Sequence, residues 1–92
     1  MSPDAAQTIA LQALGWIVGE DDLFTGFLST TGGGIDDLRA RAADPAFQAA
    51  VLDYLTTEDR WVMRFCDHVG LPYDAPLRAR HALPGSELVH WT

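Results

Sequence analysis

The sequence predicts an all-α fold, a compact six-helix bundle in which a three-helix unit occurs twice with pseudo-twofold symmetry. Apolar residues recur at three- and four-residue steps through most of the chain, which is the spacing of one buried helix face. No stretch shows the sustained alternation of apolar and polar residues that indicates a strand. The segment that begins at Leu14 also resembles the one that begins at Leu52, 38 residues later. The 92 residues are therefore predicted to form one helical domain.

The first three helices are predicted from their apolar faces and from the residues beside them. Ser2 is a suitable N-cap for the first helix, because Pro3 follows it at the position where a missing N–H does no harm. An acidic turn, Glu20 to Asp22, precedes the second helix, and a glycine turn precedes the third, which carries Leu-Arg-Ala-Arg at residues 38–41. The predicted apolar faces are Ala6, Ile9, Ala10, Ala13, Leu14 and Ile17 in the first helix, and Leu23, Phe24, Phe27 and Leu28 in the second.

The second three helices repeat this plan. Asp44-Pro45 begins the fourth helix, and Thr57 is a candidate cap for the fifth, with acidic residues where the helix dipole favours negative charge. The sixth carries a second Leu-Arg-Ala-Arg at residues 77–80. The predicted apolar faces are Phe47, Val51, Leu52 and Leu55 in the fourth helix, and Trp61, Val62, Phe65, Cys66 and Val69 in the fifth.

An internal duplication explains these matches. We place one repeat unit at about residues 6–45, a second at about 46–84, and a short tail at 85–92. One such unit is too small to bury its own apolar face, whereas two units bury their faces against each other. The matched pairs include Leu14 with Leu52, Glu20 with Glu58, Asp21 with Asp59, Phe27 with Phe65, Gly32 with Gly70, and Leu38 with Leu77.

The glycines at positions 32–34 are interpreted as a helix stop. Gly32 and its match Gly70 each follow a predicted helix, where glycine takes the left-handed conformation that closes a C-terminus. A phosphate-binding P-loop requires a lysine, and the chain has none. A dinucleotide fingerprint requires a preceding strand, and none is predicted.

The charge and the single cysteine restrict the class of protein. The net charge is −7, with 13 acidic residues against 6 arginines, so nucleic acid and anionic membranes are not expected partners. A charged partner is expected to be basic. No apolar run is long enough to span a membrane, and the first residues do not resemble a signal peptide. Since Cys66 has no second cysteine to pair with, we expect a cytoplasmic protein.

No set of residues predicts catalysis, a cofactor or a metal, so we do not expect an enzyme. Cys66, Asp67 and His68 are adjacent, but neighbouring residues of a helix point to different faces. Cys66 falls on the apolar face, and we interpret it as a small buried side chain with a raised thiol pKa. The carboxylates of the acidic turn are explained by their place at a helix start.

The arginines of the two Leu-Arg-Ala-Arg segments are the candidate contact residues for a partner or ligand. Each leucine is predicted to point inward, with the arginines on either side of it. Trp91 is a further candidate, since a terminal aromatic either packs back onto the bundle or anchors a partner. Arginine also matches carboxylate and phosphate ligands, which is the open alternative. The expected ion pairs join Arg39 or Arg41 to Glu58 or Asp59, and Arg78 or Arg80 to Glu20 or Asp21.

Much of the chain resembles a bacterial family of helical proteins, about ninety residues long, that is catalogued only as a domain of unknown function. The resemblance extends from about Thr8 to Pro84 and rests on "TIALQALGWIVGEDDLFTGFLSTTG", "LRARAADPAFQAAVLDYL" and "HVGL". It implies a mostly helical cytosolic protein and brings no activity, cofactor or catalytic residue. We therefore predict an interaction or adaptor module that binds a protein partner or itself. The alternative is a small-ligand or anion-binding protein that uses the four arginines.

Overall fold

Six α-helices account for the regular structure of residues 1–31 and 34–83, the part of the chain that the computed structural model describes, and this part contains no strand. The all-α prediction is confirmed. The radius of gyration is 12.3 Å, the value expected of a compact chain of this length. The helices are α1 (Pro3–Gly19), α2 (Asp21–Thr31), α3 (Ile35–Arg41), α4 (Pro45–Leu55), α5 (Asp59–Val69) and α6 (Ala75–Ala82).

Two of the predicted helix starts are confirmed at the level of single hydrogen bonds. The Ser2 hydroxyl accepts from the N–H of Ala5 at 3.1 Å, and the Asp44 carboxylate accepts from the N–H of Ala46 at 3.0 Å. The prediction that Thr57 caps α5 is wrong, because Glu58 occupies that position. The Thr57 hydroxyl instead donates to the carbonyl of Asp53 at 3.0 Å, near the end of α4.

α1 is the central helix of the bundle. It packs most extensively against α6 and α4, and it also contacts α2 and α5. Its buried face contains Ala6, Ile9, Ala10, Ala13 and Ile17, as predicted apart from the half-buried Leu14. α6 likewise buries alanines, at Ala75 and Ala79. Small side chains on both helices allow their backbones to approach closely, which places α6 beside α1.

Aromatic side chains join the first half of the fold, α1–α3, to the second half, α4–α6. Phe27 lies 5.8 Å from Phe47 and 5.3 Å from Tyr54, measured between ring centroids. Phe65 in turn lies 5.9 Å from Trp16. The matched residues Phe27 and Phe65 are both fully buried, and each of these ring contacts crosses from one half to the other. The two halves therefore share one core, while the duplication and the unit boundaries stay predictions.

Gly70 ends α5 in the predicted conformation. Its φ is +79°, in the left-handed region, and the carbonyl of Cys66 accepts from the N–H groups of both Gly70 and Leu71. This pair of hydrogen bonds is typical of a glycine-terminated helix, with Leu71 packed against the core. The matched Gly32 lies outside the described residues.

Candidate functional site

The four predicted arginines have different surroundings. The guanidinium carbon of Arg41 lies 4.8 Å from the centre of the Phe47 ring. Arg80 donates through Nε to Asp53 Oδ1 at 2.7 Å, while Arg78 Nη1 lies 4.0 Å from Asp74 Oδ2 within the same helix end. Arg39 is exposed and forms no ion pair within the described part of the chain. Trp91 lies outside the described residues.

The predicted inward orientation is confirmed for the leucine of the first segment and wrong for that of the second. Leu38 is 6% exposed, whereas Leu77 is 52% exposed. α6 presents Ala75 and Ala79 to the core, and Leu77 lies midway between them in sequence, on the opposite side of the helix. The four residues Leu-Arg-Ala-Arg therefore do not by themselves fix which face is buried.

The predicted ion pairs of both segments are also wrong, since among the described residues neither Arg39 nor Arg41 forms an ion pair with Glu58 or Asp59. Arg80 binds Asp53 of α4 rather than the acidic turn. Its Nη1 atom is buried without a hydrogen-bond partner among the described residues, which reduces the net benefit of this pair. Glu20 pairs instead with Arg64 at 3.2 Å, and the Arg64 guanidinium lies 5.6 Å from the Trp16 ring centre. Arg64 was not predicted as a partner of the acidic turn, because 44 residues separate it from Glu20.

An apolar groove crosses the surface of the first half. We call it the α1–α3 groove, and its volume is about 360 Å³. α1 supplies half of its lining residues, and Leu11 and Val18 there are 46% and 42% exposed. Arg39 is the charged residue of the lining. The lining residues are Leu11, Leu14, Gly15, Val18, Phe24, Leu38, Arg39 and Ala42.

The sequence does contain a signal for this groove. Leu11, Leu14 and Val18 recur at three- and four-residue steps, on a different side of α1 from the buried alanines. Leu14 was predicted to lie on the core face, and Leu11 and Val18 had no predicted role. A helix with two apolar rows presents one row to its own core and leaves the other for a second contact.

A mixed-charge pocket lies where the acidic turn meets α5. Its volume is about 640 Å³, and its walls carry Glu20, Asp21 and Asp22 opposite Arg60 and Arg64. Since Glu20 is paired with Arg64, part of the negative charge of the turn is compensated within the fold. Asp21 and Asp22 occupy the first turn of α2, as predicted, where they complement the helix dipole.

A depression that is smaller than the α1–α3 groove, and acidic, lies in the second half. We call it the α5–α6 cleft; its volume is about 250 Å³, and Asp59 and Asp74 line it together with Leu77. Tyr73, also in the lining, donates its hydroxyl to Asp67 at 2.8 Å. This hydrogen bond and the nearby charge of Asp67 raise the pKa of the Tyr73 hydroxyl.

Cys66 is buried, as predicted. Its thiol donates to the carbonyl of Pro72 at 3.3 Å, and His68 is exposed on another side of α5. Burial raises the pKa of the Cys66 thiol, and the negative charges of Asp67 and Asp74 raise it further. Within residues 1–31 and 34–83, no three side chains of the His, Cys, Asp and Glu types are grouped so that they could hold a metal ion.

None of the described helices has both the length and the apolar character needed to cross a membrane.

Comparison with known proteins places the chain in a family. No curated protein and no solved structure matches the chain. A family match covers residues 3–86, which includes all six helices and both Leu-Arg-Ala-Arg segments. The chain therefore belongs to the family described as "Protein of unknown function (DUF3572)".

Proposed function

We propose that this protein is an interaction module that docks a protein partner in the α1–α3 groove. The observation that supports this most directly is the combination of an apolar wall, exposed at Leu11 and Val18, with Arg39 in the lining, which has no ion pair among the described residues. Apolar side chains gathered in a surface depression contribute to binding when a partner removes them from water. One charged residue beside them restricts which partner fits.

The alternative, a ligand site formed by all four arginines, has less support. Arg80 is bound to Asp53 and largely covered, with 14% of its side chain exposed. Arg41 lies against the Phe47 ring, and Arg78 lies near Asp74 at the start of its own helix. Three of the four guanidinium groups thus already have contacts within the fold, and Arg39 is left for an external one.

The test compares two exposed apolar residues of nearly equal exposure. Leu11 lines the groove and is 46% exposed, while Met63 on α5 is 47% exposed and lies outside the groove lining. Tagged wild-type protein, Leu11→Asp and Met63→Asp are each used to capture partners from a lysate of the source organism at physiological salt. The captured partner is then purified and titrated against each variant.

We expect a stoichiometric partner that binds the wild type and Met63→Asp alike and binds Leu11→Asp at least about tenfold more weakly. Circular dichroism spectra that agree among the three proteins exclude unfolding as the cause. Equal weakening by both substitutions, or the absence of any stoichiometric partner, contradicts the proposal.

A further inference from the structure

Gly15 lies in the interior of α1, one turn before the end of the helix, without a conformational reason to be glycine. It is flanked by helical residues on both sides, and its φ is not in the left-handed region, which among the described glycines is occupied by Gly70 alone. Glycine in a helix interior destabilises the helix relative to alanine, because glycine loses more backbone freedom on folding. Close packing of a neighbouring side chain is one reason for glycine at such a position.

The packing of this fold does not supply that reason. A Cβ atom added at Gly15 would meet nothing within 4 Å. Gly26 on α2 is a contrasting case, in which packing within the fold requires glycine. A Cβ there would lie 2.5 Å from the hydroxyl oxygen of Tyr54. That hydroxyl donates to the carbonyl of Leu23, so Gly26 makes room for a contact between the halves. The space beside Gly15 is instead part of the α1–α3 groove.

The residues around Gly15 have the spacing of a helix-binding surface. Leu11 and Val18 are seven residues apart, with Gly15 between them, and together they span about two helical turns or roughly 10 Å. A partner helix with apolar side chains at the same spacing can lay one large side chain over the bare backbone at Gly15. Glycine at this point allows a closer approach than any other residue.

The charges favour a particular polar face on the partner. Arg39 has no ion pair within the described part of the chain, so it is available to a carboxylate beside the partner's apolar row. The net charge of −7 disfavours a second copy of this chain, since two copies repel each other. It favours a partner whose remaining polar residues are neutral or basic.

We infer that the α1–α3 groove receives an amphipathic helix of another protein, with a large apolar side chain over Gly15 and a carboxylate at Arg39. This inference rests on the proposed function. It adds the kind of segment that docks, the place of its main apolar residue and the charge that orients it.

The experiment uses displayed peptides as the probe. A library of amphipathic helical peptides is selected on the full chain, and the enriched peptides are titrated against Gly15→Gln. Glutamine is a good helix former whose side chain fills the groove. Gly19→Gln is the matched control, because a Cβ at Gly19 also meets nothing within 4 Å but Gly19 does not line the groove.

We expect enriched peptides to carry apolar residues at three- and four-residue steps and an acidic residue beside them. Gly15→Gln should weaken binding at least about tenfold, and Gly19→Gln should leave it unchanged. Arg39→Ala should weaken binding up to about fivefold, an effect that disappears when the peptide's acidic residue is replaced by its amide. Arg78→Ala should have no effect.

Four results would overturn the inference. A library that yields no binder, or binders unaffected by Gly15→Gln, removes the role of Gly15. Peptides that bind Gly15→Gln normally but fail to bind Leu11→Asp would leave the proposed function standing while this inference fails. Sedimentation equilibrium that detects a dimer of the wild type and a monomer of Gly15→Gln would assign the groove to a second copy.

Discussion

The two halves of this protein carry the same four residues, Leu-Arg-Ala-Arg, in different surroundings. In the first half Leu38 is buried and forms part of an apolar groove with Arg39 in its lining. In the second half Leu77 is exposed beside Asp59 and Asp74, in a cleft that is smaller and acidic. The first Leu-Arg-Ala-Arg segment thus borders an apolar surface with a cation, and the second borders carboxylates.

The difference arises from the place of each third helix in the bundle. α6 packs extensively against the central helix α1, and its buried residues are the compact side chains Ala75, Pro76 and Ala79. A helix that uses alanines for close contact turns its larger apolar residue outward, which exposes Leu77. α3 buries its leucine instead. The same four-residue sequence can therefore contribute its leucine to the core in one half and expose it on the surface in the other.

The largest expected effect is a difference in the free energy of unfolding between variants at Leu38 and at Leu77. Leu38→Ala should lower the free energy of unfolding by about 2–3 kcal/mol, because it removes a buried side chain and leaves a cavity. Leu77→Ala should change it by less than about 0.5 kcal/mol, since Leu77 is half exposed. Urea unfolding followed by circular dichroism measures both values. Equal losses would show that the two leucines are equivalent after all.

A smaller effect on the free energy of unfolding is expected at Gly15 and Gly26, where replacement by alanine should have opposite signs. Gly15→Ala should raise the free energy of unfolding by about 0.5–1 kcal/mol, because the new Cβ has open space and helix propensity improves. Gly26→Ala should lower it by about 1–2 kcal/mol, because Tyr54 must move and its hydrogen bond to Leu23 is strained. The urea midpoint of each variant, compared with that of the wild type, tests both predictions. A destabilised Gly15→Ala would mean that α1 itself requires this glycine.

The smallest expected effect is a loss of stability at alkaline pH. Burial raises the pKa of Cys66 and of Tyr54 in the folded chain, so the unfolded chain releases these protons at lower pH. The resulting stability is fully present below the ordinary thiol pKa of about 8.5 and is lost as the pH rises through the folded values. Urea midpoints at pH 7.5, 9 and 10.5 should fall in that order, with a shallower fall for Cys66→Ala between pH 7.5 and 9. A midpoint that rises with pH would contradict this.

The helices were predictable from the sequence because their signals are local. Ser2 with Pro3 and Asp44 with Pro45 mark two helix starts, and Gly70 marks an end, each through contacts with residues a few positions away. The misassigned cap at Thr57 shows the limit of such signals. A hydroxyl at the junction of two helices can donate backward to α4 or accept from α5, and the residue types alone do not decide between them.

The candidate site was predictable only in part. Arg39 was identified as a contact residue, but the groove beside it requires α1, α2 and α3 to be placed together. The partners of Arg64 and Arg80 are 44 and 27 residues distant, and no short-range pattern connects them. The matched halves pointed to symmetric ion pairs, whereas the packing of α6 through alanine places its arginines elsewhere.

The packing of α1 against α6 also affects how the chain folds while it is being synthesised. α1 ends at Gly19 and α6 begins at Ala75, so a ribosome adding about 5–20 residues per second needs roughly 3–10 s to synthesise the segment between them. During that interval the part of the α1 surface that packs against α6 is not yet covered, although α2 and α4 can already pack against α1. The nascent helix therefore gains the part of its stability that comes from packing against α6 only after α6 has been synthesised.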